Sequence, residues 1–245
     1  MKHIAWTRPA GMFYWNMCND LIDKGGHLLV AGQTGSGKSV VINNYLYSIT
    51  AKRTPASAKF VLIDPKKVEL DKWKNTPFCE FYADERDSIV AALDYVICEM
   101  DSRYYSMKKA GQELYTGPEL WVVVDELGDL MTMWKRECLV KLQRIAQLGR
   151  ASKIFLIAGS QSPAREVIPA KLTINFTHKL ALHCDSPIES RQIVGMKGAE
   201  ALPRYGAGIM KTPGGTYQLI IPMTSKAAIA ERIRIWTSPD RRRVV

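Results

Sequence analysis

Short apolar runs that end at a polar or charged residue recur along the chain. They lie at Leu28–Ala31, Lys59–Asp64, Trp121–Val124 and Lys153–Gly159, and Asn175–Cys184 resembles a further strand. Apolar runs of about four to eight residues with polar boundaries are typical of strands that are buried on both faces of a sheet. Helical patterns separate these runs. The sequence therefore predicts an α/β fold in which helices flank a mainly parallel central sheet.

The longest helical pattern runs from Asp84 to Lys109, with apolar residues along one side and a stop at Gly111. We interpret this helix as scaffold. The C-terminal part of the chain predicts smaller elements. They are short helices at Asp185–Val194 and Gly198–Leu202, a hairpin at Gly206–Ile221 that turns at Pro213-Gly214-Gly215, and a closing helix at Ala227–Trp236.

The segment between the first strand and the following helix has the pattern of a phosphate-binding loop. Gly32, Gly37, Lys38 and Ser39 fill G-x-x-x-x-G-K-[ST], in which glycines let successive backbone N–H groups face phosphate oxygens. In this pattern Lys38 contacts the β- and γ-phosphates, and the Ser39 hydroxyl binds Mg²⁺. The alternative is a glycine-rich turn with an exposed lysine. The predicted nucleotide-binding residues are Gly32, Gln33, Thr34, Gly35, Ser36, Gly37, Lys38, Ser39 and Val40.

Paired acids follow the strand at Trp121–Val124. Asp125 comes directly after the strand, where it can complete the Mg²⁺ shell, and Glu126 can polarise the water that attacks the γ-phosphate. ATP hydrolysis is therefore favoured over phosphoryl transfer to a small acceptor. Asp64 ends another strand before a proline and is placed at the same edge of the sheet, either near the site or as a structural carboxylate.

The strand at Lys153–Gly159 leads into Gln161, a neutral polar residue at the same predicted edge. Gln161 could sense the γ-phosphate. The alternative is a helix-capping loop with Ser162 as the cap. On the other side of this strand, Arg150 is a candidate for the γ-phosphate of a neighbouring subunit, because charge on the phosphate oxygens needs a cation.

Composition adds limits to these motifs. The chain has 245 residues, 47% of them hydrophobic, which is enough for one large α/β core. No apolar run approaches the roughly 18 residues needed to cross a bilayer, and the N-terminus lacks an apolar signal core, so we expect a cytoplasmic protein. The five cysteines have no C-x-x-C spacing, which favours reduced thiols in the core over a zinc site.

The net charge of +10 makes a polyanion, either nucleic acid or an anionic membrane surface, the natural partner. The basic tail at Arg241, Arg242 and Arg243 could contact phosphates, although we favour a solvated terminus.

Several motifs resemble the motor domain of the FtsK/SpoIIIE family of DNA translocases, within the FtsK/HerA clade of RecA-like ATPases. The matching stretches are HLLVAGQTGSGKSVVIN, VLIDPKKVEL, VVVDELGDLM, RIAQLGRASKIFLIAGSQSP, DSPIESRQIVG, GAEAL and GAGIM. Two positions depart from the family pattern, which usually has threonine at Gln33 and arginine at Ser162. The short chain is similar to relatives carried by conjugative elements, plasmids and phages.

The resemblance implies a RecA-like P-loop NTPase core of the ASCE type, and a homo-oligomeric ring of six subunits around double-stranded DNA with ATP at the subunit junctions. Arg150 matches a family arginine, and Arg191 competes for a second phosphate contact. Arg165 and Lys171 fall in a segment that faces the pore in the family. The implied organisation is a lead-in at 1–26, a motor domain at 27–222, and a C-terminal helix with a basic tail at 223–245.

Three functions remain open at this point. The first is an ATP-driven translocase of duplex DNA for transfer or packaging, with single-stranded DNA as the alternative polymer. The second is a coupling or secretion ATPase that delivers a nucleoprotein, such as a relaxase complex, or a protein to a membrane channel. That partner would recruit the chain to the membrane. The third is a nucleotide-binding assembly or regulatory protein without useful turnover.

Overall fold

The structure is a computed structural model, and it describes residues 19–161 and 168–238. Eight strands form one sheet. They are β1 (Leu28–Ala31), β2 (Ala58–Ile63), β3 (Cys79–Ala83), β4 (Glu119–Val124), β5 (Ile154–Ser160), β6 (His178–Ala181), β7 (Ala207–Thr212) and β8 (Gly215–Ile220).

Helices surround this sheet. They are α1 (19–24), α2 (Lys38–Lys52), α3 (Arg86–Ala110), α4 (Leu127–Met133), α5 (Lys135–Leu148), α6 (Ala170–Thr173), α7 (Pro187–Val194) and α8 (Lys226–Thr237). Two 3₁₀ turns lie at Asp71–Trp73 and Ala199–Ala201. None of the helices in 19–161 and 168–238 is both long and apolar enough to cross a membrane.

The strand order is β3-β2-β4-β5-β1-β6-β7-β8. Strands β1 to β6 pair in parallel, whereas β7 and β8 pair antiparallel. The carboxyl ends of β1, β2, β4 and β5 therefore meet at one edge of the sheet, which is where open α/β sheets bind ligands. The expected α/β fold, with helices flanking a mainly parallel central sheet, is confirmed.

Both faces of the sheet are covered. On one face, Val41, Tyr45 and Ile49 of α2 pack in the same fully buried cluster as Leu28 and Val30 of β1. On the other face, α3 and α5 cover β2, β4 and β5; β5 is buried along its whole length, and β4 is buried from Leu120 onward. This burial on both sides explains why the central strands read as continuous apolar runs in the sequence.

The C-terminal helix α8 packs on α2. Trp236 donates from its indole nitrogen to the carbonyl of Thr50 at 3.2 Å, and its ring meets Phe78 edge-to-face at 5.0 Å. Asn44 of α2 joins the same junction by donating to Pro222 and accepting from the backbone of Thr224. A closing helix was predicted at this position, and the structure confirms it.

The structure corrects three expectations. The predicted irregular lead-in is helical at 19–24, because Leu21 and Ile22 are buried against the core and Asp20 pairs with Lys24 one turn away. Strand β3 was not predicted, since it carries Glu80 in its middle and its largely half-exposed residues lack the continuous apolar run of a buried strand. Cys98 is exposed on α3 and so is not the core thiol we expected, whereas Cys138 and Cys184 are buried.

Candidate nucleotide-binding site

The glycine-rich loop lies between β1 and α2 at the carboxyl edge of the sheet. Gly35 has φ +78° and Gly37 has φ +102°, a left-handed conformation that glycine adopts without steric cost. A Cβ at Gly37 would meet no atom within 4 Å, so the concave side of the loop is open at this point. The loop is anchored from both sides, because Gly32 N–H donates to Ser160 and Gln33 N–H donates to His183.

Lys38 begins α2 and folds back over the loop. Its ammonium donates to the carbonyl of Gly32 at 2.8 Å and to that of Gln33 at 3.0 Å. Burial lowers the pKa of Lys38, while Glu126 and Asp125 oppose that shift. The ammonium is thus held at the mouth of the loop, where a triphosphate would replace the two carbonyls as its partner.

The other loop residues lie in one turn. Ser36 is buried, and its hydroxyl has no hydrogen-bond partner in the part of the chain that the structure describes. Ser39 and Val40 form the first turn of α2. Thr34 donates from its hydroxyl to the side-chain oxygen of Gln161 at 2.8 Å, which joins the loop to the end of β5.

Two acids come together at the ends of the neighbouring strands β2 and β4. Ile63 is in register with Val124, and Asp125 N–H donates to the Ile63 carbonyl at 3.0 Å, so Asp64 and Asp125 lie side by side. One oxygen of Asp64 accepts from Leu70 N–H at 2.8 Å, while its other oxygen is buried with no partner among the described residues.

The environment of Asp125 disfavours its charge. Burial, followed by the charges of Asp64, Glu69 and Glu126, raises the pKa of Asp125 to about 7, and Lys66 opposes the shift. A buried carboxylate in such surroundings favours a cation. Strand β5 packs closely here, because a Cβ at Gly159 would clash with the Asp125 carbonyl oxygen.

Glu126 is held by a network of donors. It accepts from Gln161 N–H at 3.0 and 3.2 Å, and from Gly128 N–H at 3.1 Å as the N-cap of α4. Burial raises the pKa of Glu126, whereas these two donors and the charges of Lys66 and Lys38 lower it. Gln161 therefore contacts Glu126 through its backbone and the loop residue Thr34 through its side chain.

The residues present fit a nucleoside triphosphate with Mg²⁺. The loop presents an open concave backbone, the Lys38 ammonium and a buried hydroxyl without a partner. Within the described residues no group of three or more His, Cys, Asp or Glu side chains is arranged to hold a metal. Mg²⁺ is usually held by one or two carboxylates together with phosphates and waters, so Asp125 with the Ser39 hydroxyl is an adequate protein contribution.

Arg150 lies near the amino ends of the parallel strands, whereas the loop lies at their carboxyl ends. It precedes β5, whose seven residues span roughly 20 Å, and Gln161 follows that strand. Arg150 is exposed, and no carboxylate of the described residues forms an ion pair with it. With Lys24, His178 and Tyr217 it lines a pocket of about 480 Å³. This arginine is therefore far from the nucleotide loop of its own subunit.

The structure leaves the other predicted residues dispersed. Lys171 is exposed on α6, and Arg191 is exposed on α7. Arg165, Ser162 and the basic tail at 241–243 lie outside the described residues.

Sequence reasoning missed two cations near the site. Lys66 lies 3.9 Å from Glu126 and 3.4 Å from Asp129, and its position directly after Asp64-Pro65 was the available signal. Arg204 places its guanidinium 3.8 Å from the position that a Cβ on Gly35 would take. Arg204 is far from the loop in the sequence, so no local motif could predict that it lies near Gly35.

Comparison with known sequences gives a consistent family. The sequence profile of the FtsK/SpoIIIE family matches residues 15–115. The chain is 32% identical over 222 residues to DNA translocase FtsK 1 of Neisseria meningitidis serogroup A, covering 77% of this chain and 27% of that protein. It is 37% identical over 207 residues to DNA translocase FtsK of Chlorobaculum tepidum, covering 75% of this chain and 25% of that protein.

Two solved structures share the fold. The pCW3 conjugation coupling protein TcpA, solved with ATPγS, has a TM-score of 0.76 at 24% identity, covering 88% of this chain and 66% of that chain. The cytoplasmic domain of the Thermomonospora curvata type VII secretion ATPase EccC has a TM-score of 0.72 at 21% identity, covering 86% of this chain and 28% of that chain.

The chain spans about a quarter of the length of the two translocases described above. The matches to them nevertheless cover three quarters of this chain, and the residues matched by the family profile include the glycine-rich loop. The chain belongs to the FtsK/SpoIIIE family.

Proposed function

We propose that this chain is an ATP-driven translocase of double-stranded DNA. The observation that carries the proposal is a pair of hydrogen bonds made by Gln161. Its N–H donates to Glu126, the candidate base, and its side-chain oxygen accepts from Thr34 of the phosphate-binding loop. The printed names of the curated relatives, DNA translocases, support the choice of DNA as the polymer.

The roles of the site residues follow from their positions. Lys38 and the loop N–H groups would bind the triphosphate, while Ser39 and Asp125 would hold Mg²⁺, which would supply positive charge against the phosphate oxygens. Glu126 accepts a proton from a water whose oxygen attacks the γ-phosphorus, and the bond from that phosphorus to the β,γ-bridging oxygen breaks. The products are ADP and inorganic phosphate.

In this proposal, loss of the γ-phosphate changes the position of the residues that contact DNA. Gln161 is seven residues before Ile168 and ten before Lys171, so a change at the loop can move this segment. We propose that Arg165 and Lys171 contact DNA phosphates there. Contacts that follow DNA irrespective of its sequence are phosphate contacts, and a net charge of +10 suits them.

We further propose that Arg150 acts in trans within a ring of six subunits. It is exposed and unpaired among the described residues, and it lies a full strand length from its own nucleotide loop. A guanidinium supplied across a junction would make hydrolysis depend on assembly. Arg191 is the alternative for a second phosphate contact.

A coupling or secretion ATPase is the second candidate function. The titles of two structural neighbours, a conjugation coupling protein and a type VII secretion ATPase, favour it. Polymer preference separates the two functions: a translocase of duplex DNA should be stimulated by bare duplex, whereas a coupling ATPase should respond to a relaxase-bound strand or to a protein substrate.

The Glu126→Gln variant tests the hydrolytic site. It keeps the shape of the side chain but removes the base, so we expect ATP binding to persist while turnover falls by about 10²-fold or more. Glu137→Gln is the matched control, because Glu137 is a half-buried residue of α5 that pairs with Arg86 away from the loop. Normal hydrolysis by Glu126→Gln would rule out this assignment, and absence of turnover in the unaltered assembly would instead favour a regulatory nucleotide-binding protein.

A further inference from the structure

Two lysines face each other across the antiparallel strands β6 and β7. Lys179 is in direct register with Lys211, and Lys211 is in direct register with Thr216 on β8. Directly opposed residues share one face of a sheet, so these three side chains form a row that crosses three strands. We call this set, Lys179, Lys211 and Thr216, the lysine row. It can donate hydrogen bonds from two ammonium groups and one hydroxyl.

The charges of the lysine row are not balanced within the described residues. Neither ammonium forms an ion pair with a carboxylate of residues 19–161 or 168–238. Burial and then the charge of Lys211 lower the pKa of Lys179, which shows that the two ammonium groups interact. Like charges directly opposite each other destabilise a sheet.

The same sheet avoids this arrangement at its other end. There Lys59 of β2 lies 3.3 Å from Glu80 of the neighbouring strand β3, so a strand lysine has a strand glutamate as its partner. The charge of Lys211 is partly balanced by the C-terminus of α7. Its ammonium lies 3.3 Å from the position that a Cβ on Gly195, the C-cap of α7, would take. Helix C-termini favour cations. This contact balances only the charge of Lys211 and leaves that of Lys179 without a comparable partner among the described residues.

The lysine row lies on the same face of the sheet as α6, the helix that carries the candidate DNA contact Lys171. Lys179 is in register with Leu29 of β1, and Leu29 packs in the same cluster as Leu172 of α6 and Phe176. The row therefore lies on the face of the sheet that α6 covers, and α6 carries Lys171.

We propose that the lysine row binds backbone phosphates of DNA, as a second contact beside the segment that carries Lys171. The inference rests on the proposed function, because it takes DNA as the polymer. A phosphate between the two ammonium groups removes their mutual repulsion and accepts from Thr216. The site reads no base and so suits a motor that follows any sequence.

The double variant Lys179→Gln/Lys211→Gln tests the inference. Binding of a fluorescent mixed-sequence duplex to the full chain is measured against salt, with a non-hydrolysable ATP analogue present. Each lost phosphate contact lowers the slope of log K against log salt by about 0.9, so we expect a reduction of about 1.8. Lys59→Gln/Lys141→Gln is the matched control, since it removes the same charge from lysines paired with Glu80 and Asp94. That control should keep the slope of the unaltered protein.

The charge reversal Lys179→Glu separates binding from folding. It replaces a like-charged cross-strand pair with an ion pair to Lys211, so Tm should rise by roughly 1–4 °C. DNA affinity should fall in the same variant, because the row loses its net positive charge. A misfolded variant would lower both quantities.

The outcomes distinguish this inference from the proposed function. If the unaltered protein binds no DNA, both are wrong. If the unaltered protein binds DNA and the double variant keeps its affinity and salt slope, the inference alone is wrong. A variant that changes the mass of the assembly at unchanged DNA affinity would also overturn it, because the row would then contact a second copy of the chain.

Discussion

Lys66 and Lys67 are adjacent residues with different surroundings. Lys66 lies 3.9 Å from Glu126, whereas Lys67 pairs with Glu85 at 2.7 Å on the surface. If Glu126 is the base, Lys66→Met should raise its pKa, because Lys66 is one of the groups that lower it. The acid side of the pH profile of ATP turnover should therefore move to higher pH, so that the lost rate recovers as pH rises.

Lys67→Met is the control for this prediction, and Lys66→Arg should restore much of the rate. The measurement is the pH profile of ATP turnover at saturating nucleotide. Equal profiles for the Lys66→Met and Lys67→Met variants would show that the charge beside Glu126 has no part in setting its protonation.

At the scale of residues, the sequence predicts contacts within one short segment but not contacts between distant segments. The loop from Gly32 to Ser39 could be predicted because its geometry is contained in eight consecutive residues. The contacts from Lys66 to Glu126 and from Arg204 to Gly35 could not, because they depend on how distant segments pack. The same holds for the unpartnered oxygen of Asp64.

Two buried histidines join the strands at the amino edge of the sheet. His27 accepts from Leu156 N–H of β5 at 2.9 Å, and its carbonyl accepts from His178 N–H at the start of β6. Burial, with a smaller effect of Arg150, lowers the pKa of His27 to about 3, and burial lowers that of His178 to about 4. Both side chains are therefore neutral in the folded protein well below their usual range.

This neutrality predicts acid sensitivity. Below the unfolded value of 6.5 the unfolded chain takes up protons that the folded chain does not, so stability is fully present above that pH and is lost as pH falls. Between pH 6.5 and 5, His27 alone should cost about 2 kcal/mol of the free energy of unfolding. Urea unfolding at pH 7.5 and 5 measures it.

The His27→Asn variant isolates the effect of His27 from that of Asp125, whose raised pKa acts in the opposite direction. We expect the variant to be less stable at pH 7.5 but to lose less stability on acidification. An equal loss in both proteins would contradict the assignment of His27 as a buried neutral group.

At the scale of elements, burial decided what the sequence could predict. Helix α3 was predicted within two residues at its start and one at its end, since its apolar side and Gly111 are local signals. Strand β3 was missed because it is the edge strand and its residues are half-exposed. The helix at 19–24 was missed because Leu21 and Ile22, its apolar residues, are adjacent and so show no helical period.

The assembly is the scale at which Arg150 should act. Arg150→Ala and Glu126→Gln subunits should each be inactive alone. On mixing, some junctions combine Glu126 of one subunit with Arg150 of its neighbour, so ATP turnover should partly return. Arg144→Ala is the matched control, because Arg144 lies on the preceding helix α5 and pairs with Asp101 at 2.7 Å. Normal turnover by Arg150→Ala alone would exclude the role in trans.

The fold of the whole molecule was predictable because alternating apolar runs and helices determine a parallel sheet and its ligand-binding edge. The ring was not predictable from this pattern, since no spacing within one chain specifies a partner surface. We propose that a neighbouring subunit would approach at Arg150, which is exposed at the opposite ends of the strands from the loop.

The steady-state rate of ATP hydrolysis, measured with and without long duplex DNA, tests the central claim most directly. A motor that couples turnover to movement along DNA should hydrolyse ATP faster with duplex of any sequence, and the Glu126→Gln variant should show neither rate. An unchanged rate in the presence of duplex DNA, or stimulation only by a protein substrate, would contradict the account.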